Sequence, residues 1–413
     1  MAISRRQFCE WLSASSGLAA STPLLVNAGD ELNPAQTTAT GPHLGNLYPF
    51  VQQLADRAPQ PLSFLRPEHK DLKRWQRQVR AKVFEHLFYD PPSVAPQPQL
   101  IRRTDKGDYV EEYLSFQTAP DVRVPAYVLI PKRAKLPAPG IVALHSHDGV
   151  YLWGKEKLVE NEREHPVLTE FKQRSYGGKS IAAELARQGY VVITMDMFYW
   201  GERRMLLDDD PATLRERSLG LTREEINAFN RRASQNEQLV ARSLFTAGVS
   251  WPGVILRDDL RALDYLAARP EVDKQRLGCV GLSVGGYRSF MLAALDERIK
   301  AAVAVGWMTS LPAQIKQHVV NTIGFSFHLI GLYRYLDFPD LAALAAPRAL
   351  LVINGSQDRL FVLDGVKAAF DKIARCYAKA GVSERQRCRL YDAPHEFNLE
   401  MQAEGWEWLK RWV

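Results

Sequence analysis

The stretch GCVGLSVGGYRSF, residues 278–290, decides the fold. It opens as a short apolar run and closes as a helical pattern. Between the two, Gly281-Leu282-Ser283-Val284-Gly285 sets small residues on both sides of a serine. A strand that turns sharply into a helix leaves no room for flanking side chains, so this spacing suits a serine held in strained backbone at the turn. Ser283 then projects at the positive end of a helix. Glycine-rich turns also close strand–helix units for packing alone, so the pattern gains its meaning from its surroundings.

Those surroundings alternate strand and helix. The runs GIVALH (140–145), YVVITMD (190–196), RLGCVGLS (276–283), KAAVAVG (300–306) and RALLVING (348–355) are short, β-branched and free of polar alternation, as parallel strands covered on both faces are. Helical patterns fall between them at 180–188, 257–268, 286–295 and 363–380. Upstream, LIRRTD, YVEEYLSFQT and VRVPAYVLIP are separated by turn chemistry such as DKGD and predict an antiparallel meander. The expected class is α/β: a mostly parallel, doubly wound sheet with antiparallel N-terminal edge strands, over residues 97–413. Residues 29–96 read as a linker and a helical arm, with helices near 47–55 and 68–86.

The first 28 residues carry Arg5 and Arg6 ahead of a small-residue apolar stretch and then Val26-Asn27-Ala28, a small-x-Ala cleavage pattern. This resembles a twin-arginine export signal, which places the mature chain in the periplasm or outside the cell. Removing it leaves Cys279, Cys376 and Cys388, too few for a disulfide framework, although a bridge between Cys376 and Cys388 across a helix-to-strand turn stays open. The 413 residues are 46% hydrophobic and 24% charged, enough apolar content for a full core. The net charge of +6 comes from interleaved signs, as in LTREEINAFNRR, so a nucleic-acid partner is not expected. Nor is membrane insertion, since no later stretch reaches about 18 apolar residues.

A nucleophilic serine needs a base, and the base needs an orienting carboxylate. Three histidines follow Ser283. His318 and His328 lie in a mostly apolar stretch suited to packing, whereas His395, in RCRLYDAPHEFN, follows a strand and precedes the last helix. For the acid, Asp358 sits in NGSQD, a loop released by a glycine after a late strand; Asp392 and Glu396 are nearer in sequence, with Asp392 the alternative.

GLSVGG, NGSQD and DAPHEF, in this order and spacing, resemble the α/β-hydrolase superfamily, in particular its dienelactone-hydrolase-like and acetyl-xylan-esterase-like branch, over roughly residues 100–413. The resemblance implies an α/β-hydrolase fold and a Ser283–His395–Asp358 triad. It also implies an oxyanion hole from the backbone N–H groups of Val284 and of His147 in HSHDG. The chain departs from true dienelactone hydrolases, which carry cysteine where Ser283 stands. It also lacks the R-G-Q signature of cephalosporin C deacetylase relatives.

HSHDG, residues 145–149, has a competing reading as a metal-binding His-x-His pair. A barrel of that kind needs further histidines at later strand ends, and none of YVVITMD, VGLS, VAVG or VING supplies one. No metal or cofactor is therefore expected. Two long insertions, at 151–178 and from 197 to 253, enlarge the catalytic face. Trp153, Trp200 and Trp307 are candidates to touch a sugar or line an acyl pocket, with packing as the competing role. Glu202, Arg203 and Arg204 are expected to form an internal ion-pair cluster. The expectation is a serine carboxylic-ester hydrolase that deacetylates a carbohydrate or other small acetyl ester. The alternatives are a prolyl-oligopeptidase-type peptidase, disfavoured because no propeller precedes the domain, and a catalytically silent binding module.

Overall fold

The computed structural model describes residues 42–413. The export-signal reading and the linker up to residue 41 lie outside the described residues. Nine strands form one sheet: β1 (Gln99–Asp105), β2 (Tyr109–Ala119), β3 (Val122–Pro131), β4 (Ala138–Leu144), β5 (Val191–Met195), β6 (Val272–Leu282), β7 (Ile299–Val305), β8 (Ala349–Gly355) and β9 (Gln386–Tyr391). Their order is β1-β2-β3-β5-β4-β6-β7-β8-β9. The pairs from β1 to β3, and β3 with β5, are antiparallel. All pairs from β5 through β4 to β9 are parallel.

Burial follows this order. Every residue of β5 and β8 is buried, as apolar runs sandwiched between helices must be, while β1 at the edge is exposed along almost its whole length. The longer helices are α1 (Tyr48–Asp56), α2 (Leu72–Leu87), α3 (Pro166–Tyr176), α4 (Ile181–Arg187), α5 (Arg223–Thr246), α6 (Trp251–Ala267), α7 (Val284–Leu295), α8 (Leu363–Lys379) and α9 (Leu399–Trp412). Asp71 caps α2 by accepting the Arg74 N–H at 2.9 Å, and the helix buries Trp75, Val79, Val83 and Leu87.

Two helices add to the sequence expectation. The 24-residue α5 fills part of the second insertion, which carries no predicted helix. Only Ile226, Phe229, Ala233 and Ala241 are buried, and a Thr222–Glu225 capping box starts the helix. Helix α6 begins at Trp251 rather than near 257, because Ser250 caps it by accepting the Gly253 N–H at 3.0 Å and Pro252 suits its first turn.

The buried Arg288–Asp259 pair, joined by bonds of 2.9 and 2.5 Å, ties α7 to α6. Cys279, Cys376 and Cys388 are free, and burial pushes the Cys376 and Cys388 thiols up to about 12. Among the described residues no single helix is long and apolar enough to cross a membrane.

Candidate active site

Strand order places the site. β5 and β6 lie on opposite sides of β4, so the winding reverses there, and in open α/β sheets a crevice opens beyond the carboxyl ends of strands at such a point. HSHDG follows β4 and Ser283 follows β6.

Ser283 has φ 59° and ψ −126°, a backbone conformation that L-residues seldom adopt. The turn is tight enough that a Cβ on Gly285 would run into the Leu144 carbonyl at the end of β4. The Ser283 N–H donates to the Val305 carbonyl at 2.8 Å, which fixes the elbow to β7. Ser283 occupies the N-cap position of α7 without a side-chain capping bond, and the first N–H groups of that helix have no intrahelical acceptors.

His395 Nδ1 lies 2.6 Å from Asp358 Oδ2, and Asp358 Oδ1 accepts the Leu360 N–H at 2.9 Å. The ring packs beside Gly306, the residue after Val305. Nε2 is buried and has no hydrogen-bond partner in the protein. Burial alone would lower the imidazole's pKa, but the Asp358 charge and hydrogen bond, with Asp148 adding to them, hold it above its ordinary range. Asp392 instead accepts from Ser356 and Gln357, at 3.1 and 2.8 Å, and so is occupied elsewhere. His318 and His328 belong to the segment after β7; His328 lines a small apolar cavity with Leu311, Ile323 and Phe338.

The two histidines of HSHDG part company. The fully buried His145 accepts the Met197 N–H at Nε2 (3.0 Å), and burial keeps its pKa well below the imidazole range. His147 accepts the Gly149 N–H at Nδ1 (2.9 Å), and its Nε2 meets Glu237 of α5 at 2.9 Å. Tyr151 donates to the same carboxylate at 2.8 Å. Each ring is committed to a different part of the fold. The His147 side chain therefore anchors the loop to α5, a role the sequence left open.

Trp153, Trp200 and Trp307 are 6%, 0% and 2% exposed, so none offers a free face for a sugar. Trp200 packs among His147, Tyr151, Tyr199 and Trp251. Trp307 packs among Tyr287, Phe290, Phe327, Phe338 and Phe361, and Trp153 lies against His165. Trp153 and Trp200 thus pack within the insertions, and Trp307 packs between α7 and the segment after β7.

Glu202, Arg203 and Arg204 do not pair with one another. Arg203 meets Asp258 at 2.7 Å, and Arg204 donates to the carbonyls of Gly201, Leu214 and Arg215. Glu202 joins a cage around Lys155, whose Nζ lies 2.8 Å from Asp196, 2.9 Å from Glu156 and 2.5 Å from Glu202. Ligand atoms of these three acids lie within 4.8 Å of one another, a spacing that suits a bound cation, and the cation at their centre is the lysine ammonium.

Two residues along, the fully buried Lys157 donates to the carbonyls of Ser146 (2.8 Å) and His147 (3.1 Å). A trans peptide points its N–H opposite to its C=O, so the bond to the Ser146 carbonyl fixes the direction of the His147 N–H. Sequence reading missed both lysines, because GKEK looks like an ordinary solvated charge run.

Residues 43–214 match an Abhydrolase family model and residues 174–328 match the Dienelactone hydrolase family model. The chain is a hydrolase of the α/β-hydrolase type, with the corresponding fold. It is similar to the Bacillus subtilis protein YtaP, 26% identical over 82% of this chain and all of that one. A Bacteroides fragilis protein solved as a candidate acetyl xylan esterase superposes with TM-score 0.61 at 18% identity, covering 83% of this chain and 82% of that chain. A glucuronoyl esterase from Solibacter usitatus superposes with TM-score 0.56 at 14% identity, covering 82% and 93%. These likenesses set the chain beside the dienelactone-hydrolase and acetyl-xylan-esterase-like branch.

Proposed function

We propose that the protein is a serine esterase that removes small acyl groups, acetyl above all, from carbohydrates or related polyols. One observation carries the reading: an imidazole tied to a carboxylate at Nδ1, with its Nε2 unpartnered, packs beside the strand end that holds the strained serine elbow. In this reading Ser283 Oγ attacks the ester carbonyl while its proton passes to His395 Nε2. The negative carbonyl oxygen is received by the N–H groups of Val284 and His147. When the tetrahedral intermediate collapses, the carbon–oxygen bond to the alcohol breaks and the imidazolium returns the proton to that oxygen. Water then repeats the sequence on the acyl-enzyme and restores Ser283. Asp358 holds the ring and stabilises its charged form.

The test is hydrolysis of acetylated xylosides and of p-nitrophenyl acetate, butyrate and octanoate, with a glucuronate methyl ester as a further arm. Acetyl esters turn over fastest and octanoate is negligible. Asp358→Asn lowers kcat by about 10⁴-fold and Ser283→Ala by about 10⁶-fold with the fold retained, and fluorophosphonate labelling disappears in Ser283→Ala. A rate that climbs toward octanoate removes the deacetylase reading. Full activity in Ser283→Ala removes the serine mechanism. Residues 1–28 add an extracytoplasmic setting to the proposal: a reporter fused to them is exported, and replacing Arg5 and Arg6 by Lys blocks it.

A further inference from the structure

The loop after β4 passes through two consecutive positive-φ residues, Asp148 at 49° and Gly149 at 64°. The Asp148 side chain is 10% exposed, and its Oδ1 lies 3.9 Å from His395 Nε2. Its Oδ2 is buried with no hydrogen-bond partner. The nearby ammonium does not relieve it, since Lys157 donates to the Ser146 and His147 carbonyls instead. A buried carboxylate oxygen without a donor is costly, and native proteins seldom keep one without a use.

The position suggests the use. Nε2 hands its proton to the departing alcohol, so a group beside Nε2 borders the carbon that carries the leaving oxygen and the carbon next to it. Asp148 is unsuited to being a second orienting acid. A lasting Nε2–H···Asp148 bond would withhold the proton that the leaving alcohol needs. An ionised carboxylate only accepts hydrogen bonds, so its complement is a donor on the substrate.

We infer that Asp148 is a specificity-determining residue, whose free oxygen accepts a hydrogen bond from a hydroxyl on the carbon adjacent to the ester oxygen of the leaving group. The preferred substrates are monoesters of vicinal diols, the arrangement that a pyranose ring presents. The inference rests on the esterase reading above and assigns Asp148 to its leaving-group side.

The experiment compares two acetates that differ in one donor: trans-2-hydroxycyclohexyl acetate and trans-2-methoxycyclohexyl acetate. The wild type prefers the hydroxy ester in kcat/KM by about tenfold or more, as a hydrogen bond to a charged acceptor allows. Asp148→Ala brings the ratio close to one, and Asp148→Asn, whose amide oxygen accepts without charge, falls between. Because each ratio is taken within one protein preparation, partial loss of folded enzyme cancels. If Asp148→Ala fails to fold, the near-isosteric Asp148→Asn carries the test, and a wild-type ratio unchanged in it overturns the assignment.

Equal wild-type rates on the two esters overturn the assignment, as does an undiminished ratio in Asp148→Ala. Either result leaves the esterase reading standing, because both esters are then hydrolysed. Failure of the wild type to hydrolyse either ester or p-nitrophenyl acetate removes that reading and this inference together.

Discussion

Lys155 and Lys157 stand two residues apart on one 3₁₀ turn, both shut off from solvent, and their surroundings push them in opposite directions. Burial alone would depress both ammonium groups. Around Lys155 the charges of Asp196, Glu156 and Glu202 outweigh burial and hold the pKa well above the usual lysine range. Lys157 is hydrogen-bonded to carbonyl dipoles and only senses Asp148, Asp196 and Glu156 at a distance, so burial wins and lowers it to about 7. Lys155 is a permanent charge that locks structure. The charge on Lys157 is conditional, and it bears on the peptide that carries the His147 N–H.

Lys155→Met gives the largest expected effect. It strands the buried carboxylate of Asp196, while Glu156 keeps Arg217 at 2.6 Å, and the loss of stability is about 3–5 kcal/mol. Chemical denaturation checks this. A loss under 1 kcal/mol would mean that the cage relaxes and is no lock.

Lys157→Met comes next and falls on turnover. No carboxylate loses a hydrogen-bonded partner, so stability falls less, by about 1–2 kcal/mol for two carbonyls left without a donor. Under the proposed mechanism, loosening the peptide that carries the His147 N–H lowers kcat by about tenfold while KM changes little. Lys157→Arg restores part of kcat if its guanidinium reaches the Ser146 carbonyl. A rise in KM at constant kcat would place the lysine in ground-state binding and break the contrast.

The contrast also sets a pH dependence of the stability difference between wild type and Lys157→Met. Folding lowers the Lys157 pKa from 10.5 to about 7, so between those values the unfolded chain holds more protons than the native one. The cost of burying the charge is full below pH 7 and fades as pH climbs toward 10.5. Wild-type stability relative to the variant therefore rises with pH across that window. Urea midpoints for both proteins at pH 6.5 and 9 measure it, and a constant gap would show that Lys157 does not titrate there.

The same contrast explains what was legible in the sequence. GLSVGG, NGSQD and DAPHEF announce themselves because backbone geometry dictates residue type at a strained turn and at loops that follow strands. The Asp358–His395 contact joins two such loops. Strand order is different: nothing local in GIVALH says that it pairs with both β5 and β6.

Buried charge is harder still. GKEK offers two lysines and a glutamate that look solvated, and only the arrival of Asp196, Glu202 and the HSHDG carbonyls gives the two lysines different fates. The aromatic residues mislead for the opposite reason. Trp200 and Trp307 stand in the insertion and beyond a strand end, positions where ligands commonly bind, yet tertiary packing claims both rings.

Asp196 has one further consequence. It is fully buried at the end of β5, takes the Lys155 N–H at 2.8 Å from the first insertion, and takes the Glu202 N–H at 2.9 Å from the second. Gly201, at φ +61°, clears the space, since a Cβ there would run into the carboxylate. The two insertions thus share a mooring at one residue. Neither is a freely removable module: swapping the first for a relative's loop would leave Asp196 buried without Lys155, and swapping the second would take Glu202 out of the cage around Lys155, however well the new loop fitted the substrate. An engineer who wants to reshape this catalytic face must exchange both insertions together with the residue they moor to, and a genome that recombines such enzymes meets the same restriction.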